Sequence, residues 1–335
     1  ASLKMHLGFQ EDGLGDYQKS LKLNPYQPAA HSDYILGMHY VSRVSAETLF
    51  EELKRWEDVH CKDVQPADIK TFKRERVPEK LKIGMVSRGF RRHPVGYMVL
   101  KGVQNLPKNE FALHFYADMK PEKQDSITAR LKETAAQWSD VFTLDDISLR
   151  QKIIDDGIDI LFDMTGHSEL GSRLRVFAAR AAPVQVKWVG GLFSSSGLKE
   201  MDWLLADAVQ VPEGFEKYYS EKIYRMPDDY ICYVPPEHDL QPNDLPAVQN
   251  GYMTFGNLNH VAKTNDESID LWSGILETLP ESRLILKTKG VEIPAVQKRI
   301  LSRFEHNGID PSRIELEGGA PHKEFLEVYN RIDVA

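Results

Sequence analysis

Residues Tyr252-Met253-Thr254-Phe255-Gly256-Asn257-Leu258-Asn259-His260-Val261-Ala262-Lys263, followed by Asn265 to Leu279, decide how this chain reads. Tyr252 to Phe255 is apolar and reads as a strand. Between Asn265 and Leu279, the residues Ile269, Trp272, Ile275, Leu276 and Leu279 fall on one face of a helix. Lys263 therefore stands where the C-terminal end of a strand meets a helix N-terminus. Phosphates bind at such junctions in α/β folds, because free N–H groups and the helix dipole favour negative charge and an ammonium adds to them. The plain alternative is a solvated loop lysine.

Working outward, the same alternation continues on both sides. Downstream, strands at 283–288 and 313–317 alternate with helices at 293–305 and 322–331. The run stops at Arg331-Ile332-Asp333-Val334-Ala335, at the start of an apparent fourth strand. A three-stranded parallel sheet would leave an open edge, so a continuation of the chain or a second copy is expected to complete it. Upstream, beyond a proline-rich crossing from Pro227 to Pro246, a longer run begins. Strands are expected at Ile83 to Ser87, Phe111 to Ala117, Val141-Phe142, Ile158 to Asp163 and Val184 to Val189. Helices are expected at His93 to Val103, Asp125 to Ala136, Ser148 to Asp156 and around Arg173 to Arg180. This alternation predicts parallel sheets covered by helices on both faces.

Residues 1–62 read as all helix. Leu14, Tyr17, Leu21 and Leu23 lead into Asn24-Pro25, a second helix runs from about Pro28 to Val41, and a third starts at Ser45. Gly15 to Pro25 looks like the closing half of a tetratricopeptide repeat. The polar stretch 63–80, with Pro66 and Pro78, reads as a linker. The expected division is thus 1–62 helical, 63–80 linker, 81–245 a first Rossmann-like domain and 246–335 the first part of a second.

Size and composition set outer limits. With 335 residues, 41% of them hydrophobic, the chain can bury two cores. A net charge of -8 argues against nonspecific nucleic-acid binding and supplies no polybasic membrane patch. Cys61 and Cys232 make no disulfide framework and fit a reducing, cytoplasmic setting. No run of apolar residues is long enough for a membrane-spanning helix, and no signal peptide opens the chain.

Three further segments carry polar side chains to strand ends. His93, in Ser87-Arg88-Gly89-Phe90-Arg91-Arg92-His93-Pro94, follows the first strand of the longer run, with Pro94 in a first-turn position. A neutral imidazole there can bond a sugar hydroxyl or assist proton transfer; the alternative is a histidine that bonds backbone. His167, in Asp163-Met164-Thr165-Gly166-His167, has the same topological position, so both histidines are expected to face one cleft, while Asp163 and Thr165 can equally serve as caps. The loop Gly190 to Gly197, with Ser195 and Ser196, offers close backbone approach and hydroxyls for a substrate. No Asp-x-Asp string and no metal-ligand cluster occurs, so no metal site is expected.

Taken together, these segments resemble the catalytic region of the O-GlcNAc transferase/SPINDLY family of protein glycosyltransferases. The resemblance rests on His93-Pro94, on Asp156 to Leu161 running into Thr165-Gly166-His167, and on Ala182-Pro183-Val184-Gln185-Val186-Lys187-Trp188. It continues through Met201-Asp202, Ala206-Asp207, Tyr219-Ser220-Glu221 and Arg225-Met226-Pro227 to Phe255-Gly256-Asn257 with Lys263. It implies a GT-B architecture of two Rossmann-like domains behind tetratricopeptide-like helices, in a bacterial-type variant. It also implies inverting, metal-independent transfer of a sugar from a nucleotide diphosphate to Ser or Thr of a protein or peptide. The donor would be UDP-GlcNAc, or GDP-fucose in the SPINDLY branch; no cofactor is implied. By motif, His93 matches the family's active-site histidine and Lys263 the lysine at the donor diphosphate. Asn257 and His260 lie in the nucleotide-proximal segment, and Ala320 matches a backbone nucleotide contact.

The chain departs from the pattern in three places. Phe325 stands where the family places a nucleotide-proximal histidine, a role nearby His322 can take. The Gly190 to Gly197 loop differs in length and lacks the usual threonines. A downstream phosphate-binding segment has no counterpart, so the isolated chain is expected to be inactive. A repeat scaffold with a degenerate transferase domain, and a transferase acting on a glycan or small molecule, are the competing readings.

Overall fold

The computed structural model describes residues 1–72, 79–168, 172–191 and 194–335. Pro78 of the linker and Leu192-Phe193 of the glycine-serine loop lie outside the described residues. Four helices come first: α1 (Ser2–His6), α2 (Gln10–Leu23), α3 (Pro28–Met38) and α4 (Ala46–His60). Ser45 caps α4, its hydroxyl accepting from Thr48 N–H at 3.1 Å, which satisfies one of the donors that every helix start leaves open.

Alternation then begins with β1 (Leu81–Ser87), α5 (Pro94–Gln104), β2 (Phe111–Ala117), α6 (Ser126–Lys132) and β3 (Gln137–Asp140). It continues with α7 (Asp146–Asp155), β4 (Ile160–Asp163), α8 (Leu174–Ala178), β5 (Val184–Lys187), β6 (Trp203–Ala206) and β7 (Lys222–Arg225). These seven strands form one sheet in the order β3-β2-β1-β4-β5-β6-β7, every pair parallel. Strand order reverses between β1 and β4, the place where open α/β sheets leave a crevice at the carboxyl ends of their strands.

The two-residue period of the strands assigns the cores. Ile83 and Met85 of β1, with Leu113 and Phe115 of β2, meet Val95, Val99 and Leu100 of α5 and Ile127 and Leu131 of α6. On the opposite face Val86, Tyr116 and Leu161 meet Leu149 and Ile153 of α7 and Leu174 and Phe177 of α8. Leu53 and Trp56 of α4 join that second core, so the helical segment supplies part of the sheet's own cover. Each large side chain buried this way contributes roughly 1.5–3 kcal/mol.

The remaining elements are α9 (Pro246–Asn250), β8 (Thr254–Asn257), α10 (Asp266–Thr278), β9 (Arg283–Lys287), α11 (Pro294–His306), β10 (Ile314–Glu317) and α12 (His322–Glu327). Strands β10, β9 and β8 form a three-stranded parallel sheet. Val334 bridges Phe255 in parallel, which agrees with the strand expected from Arg331 onward. Ile269 and Leu276 of α10 and Val296, Ile300 and Phe304 of α11 pack with Leu284 and Leu286.

Three expectations change. Paired strand lies at Gln137–Asp140 instead of Val141-Phe142: Val141 still donates to the Ala117 carbonyl, but its side chain is core, and its apolarity marks burial at the strand's exit. β6 and β7 were not expected; both are four residues long, and the edge strand β7 alternates exposed and half-buried residues and so shows no apolar run. The helical segment is not a unit of its own. Contacts divide the chain into Ser20–Leu36 with Val44–Pro235, and Ala1–Lys19 with Gly37–Arg43 and Pro236–Ala335, so the division passes through α2 and α3.

Candidate functional site

In the seven-stranded unit, His93 is the N-cap of α5. Its Nδ1 accepts from the Val95 N–H at 3.3 Å, so the backbone-bonding alternative is realised. With Nδ1 occupied as acceptor, the neutral ring carries its proton on Nε2 and presents a donor. Burial, with the Arg91 charge beside it, holds the ring's pKa below the usual imidazole value. The loop that carries it is fixed by α6. Asp125 caps α6 through Oδ1, accepting from Ile127 and Thr128 N–H, while Oδ2 accepts from Arg92 N–H at 2.6 Å. Thr128 Oγ1 donates to the Phe90 carbonyl at 2.6 Å. The capping box Asp125-x-x-Thr128 is visible in the sequence, but its second task is not.

Arg88 is held by a buried partner. It pairs with buried Asp118 at 2.7 Å, and Arg173 reaches the other oxygen of the same carboxylate at 2.8 Å. These partners tie the ends of β1 and β2 to the start of α8.

The structure corrects the expectation for His167, Ser195 and Ser196. His167 does not line an open cleft: it is only 2% exposed, with Nδ1 3.0 Å from Ser32 Oγ, Nε2 3.0 Å from the Ser196 carbonyl, and Trp56 against its edge. Ser195 and Ser196 are buried, and their hydroxyls donate to the Glu221 carboxylate, which also accepts from the Ser196 N–H at 2.7 Å. These hydroxyls brace the loop instead of lying open on its surface. Lys187, buried beneath them, donates to the Ser194 carbonyl, and burial pushes its pKa down. Asp163 accepts from the N–H groups of Thr165 and Gly166, so its turn-capping alternative holds, and burial pushes its pKa up. Gly166 and Gly191 both take positive φ, and their backbones touch: a Cβ on Gly191 would lie 2.8 Å from the Gly166 Cα. Only glycine fits that approach.

In the three-stranded unit, Lys263 ends a short turn of Val261–Lys263 between β8 and α10. Val261, Ala262 and Thr264 around it are buried, whereas Lys263 is exposed. The turn is anchored from both sides. The Gln10 side-chain amide donates to the Ala262 carbonyl, and Arg299 donates to the Thr264 carbonyl at 2.8 Å. Lys263 Nζ lies 3.4 Å from Asn259 Oδ1. Asn257 accepts from Asn259 N–H at 3.0 Å, and His260 Nδ1 accepts from Ala262 N–H at 3.2 Å. An anchored backbone thus carries an exposed ammonium at the sheet's carboxyl edge.

The helix end contributes less than its position suggests. Asn265 already caps α10, accepting from Ser268 N–H, and Asp266 and Glu267 occupy its first turn. Those carboxylates offset the dipole, so positive potential at this edge comes mainly from Lys263. Because the strands are parallel, the loops after β9 and β10 open on the same edge. Gly319 lies against Lys289, where an added Cβ would meet the lysine Cβ at 3.2 Å. Ala320 follows, half-buried, and His322 opens α12 with Nδ1 3.1 Å from His238 Nε2. Asn257, His260, Lys263, Ala320 and His322 end or follow strands of this sheet at one edge; Lys289 and His238 join them without a signal in the sequence.

Comparison with known proteins agrees with this fold. The model of glycosyl transferase family 41 matches residues 57–238. The chain is 30% identical, over 94% of its length, to the probable UDP-N-acetylglucosamine–peptide N-acetylglucosaminyltransferase SPINDLY of Petunia hybrida, and covers 34% of that protein. It is 27% identical, over 76% of its length, to the similarly named SEC of Arabidopsis thaliana, covering 26% of it. The chain thus spans about a third or less of these relatives. A mutant O-GlcNAc transferase of Thermobaculum terrenum superposes with a TM-score of 0.87 at 30% identity, over 99% of this chain and 62% of that one. That likeness gives the fold class as GT-B, with Rossmann-like α/β units. By its sheet, its strand-end motifs and the family match across more than half its length, the chain belongs to glycosyl transferase family 41.

Proposed function

We propose that this chain is the transferase region of a cytoplasmic enzyme that moves GlcNAc from UDP-GlcNAc to Ser or Thr hydroxyls of proteins, with inversion and without a metal. The activities named for the relatives support the donor and acceptor classes. The observation that carries the reading is Lys263: an exposed ammonium on an anchored turn at the carboxyl edge of β8. When the sugar leaves, charge grows on the diphosphate, and a fixed cation there stabilises the transition state more than the ground state. Asn257, His260, Ala320 and His322 on the same edge would hold the nucleotide. His93, neutral and donating through Nε2, would orient a sugar or acceptor hydroxyl; in this tautomer it acts as a donor, not as the base.

Calorimetric titration of the chain with UDP, GDP, UDP-GlcNAc and GDP-fucose, beside Lys263→Ala, tests the reading. Uridine nucleotide binding that Lys263→Ala weakens by roughly tenfold or more, the scale of a charge-assisted phosphate contact, supports it. Preference for GDP-fucose redirects it to the fucosyl branch. Absence of binding to all four overturns it in favour of a scaffold.

A further inference from the structure

A continuous buried hydrogen-bond chain runs from helix α3 to the loop that follows β5. Ser32, on α3 and fully buried, lies 3.0 Å from His167 Nδ1. His167 Nε2 lies 3.0 Å from the Ser196 carbonyl. That carbonyl can only accept, so Nε2 carries a proton and, in the neutral ring, Nδ1 accepts from the Ser32 hydroxyl. Beyond Ser196, Glu221 takes the Ser195 hydroxyl at 2.7 Å and the Ser196 N–H at 2.7 Å. The following amides turn back on the same serines, Gly197 N–H to Ser195 Oγ at 2.9 Å and Leu198 N–H to Ser196 Oγ at 3.2 Å. Trp56 of α4 stands against the His167 ring, and Gly197 takes φ +76° against the Leu53 backbone. Burying this many polar groups is costly unless each is satisfied, and a satisfied buried network is stiff and holds one geometry.

We infer that His167 is a positioning residue: it couples the seating of helix α3 to the geometry of loop 194–197 at the carboxyl edge of the seven-stranded sheet. Helices of the N-terminal segment thereby set the geometry of a loop that follows β5. The consequence for turnover rests on the transferase reading above, but the coupling does not.

The test reads the loop directly. Ser32→Ala removes one hydroxyl and touches no atom of residues 194–198. Hydrogen exchange at the amides of Ser196, Gly197 and Leu198 should quicken roughly fivefold, the factor carried by one lost neutral hydrogen bond. Amides of β1 and α5 should stay unchanged. His167→Gln keeps a donor for the Ser196 carbonyl and gives up Ser32. Combined with Ser32→Ala, it should add nothing further, because both cut one link. Unchanged exchange at 196–198 in Ser32→Ala overturns the inference, as does equal quickening across β1 and α5, which reports global loosening. A parent chain that binds no nucleotide sinks the transferase reading and leaves the exchange result to stand on its own.

Discussion

His60 should make this protein acid-sensitive in a calculable way. It is buried at the end of α4, its Nε2 2.9 Å from His31 Nδ1, while His31 Nε2 meets Glu52 at 2.8 Å. Burial, with His31, Arg175 and Arg55 nearby, pushes its pKa down to about 4. An unfolded imidazole titrates at about 6.5. Below that value the unfolded chain binds a proton that the folded chain refuses, so stability present above about pH 6.5 is lost as pH falls toward 4. At about pH 5 the full difference is worth about 2 kcal/mol. The Arg55 and Arg175 side chains are 55% and 33% exposed, so solvent screens their share. About 1 kcal/mol is the expected loss after that discount. Urea unfolding followed by tryptophan fluorescence at about pH 7.5 and about pH 5 gives the total loss. His60→Gln keeps a hydrogen-bonding amide beside His31 but cannot titrate, so it isolates the His60 part. The parent should lose about 1 kcal/mol more than the variant. Equal losses in the two proteins would refute the assignment of the proton to His60.

Two further outcomes follow from the His93 loop. Asp125→Ala removes both the α6 cap and the hold on Arg92; thermal unfolding should show a loss of about 1–2 kcal/mol, while nucleotide affinity at the other sheet stays unchanged. Gly96→Ala drives a Cβ into the Arg91 carbonyl in the loop before α5, so circular dichroism should show a melting temperature lowered by several degrees, whereas Gly274→Ala, in open space inside α10, should raise it, because alanine favours an exposed helix interior by about 0.5–1 kcal/mol over glycine.

Much of the chain could be read before its structure was known, and the reason is local. Strand periodicity, helix faces and caps are short-range properties, so β1, β2, α5, α10 and the cap at Ser45 appear within a residue or two of where they were expected. Lys263 was legible for the same reason: its place depends on a strand and a helix that are its immediate neighbours. Short strands with no apolar run, β6 and β7, were not, because their partners across the sheet define them.

Side-chain roles divided along the same line. That His93, His167, Ser195 and Ser196 follow parallel strands was evident from order alone. Whether each faces solvent or core depends on residues far away in sequence. Ser32 and Trp56 close over His167, and Glu221 takes both serine hydroxyls, turning three expected ligand contacts into braces. The dipole at α10 was countered by a cap and two carboxylates whose effect depends on the helix forming as it does. The sequence by itself determined the alternating α/β architecture, the positions of the strand-end loops and the lysine on one of them, since short-range pattern encodes all three. Tertiary structure alone decided which polar groups are open and which are spent, because hydrogen-bond satisfaction is settled between segments 25 to 135 residues apart.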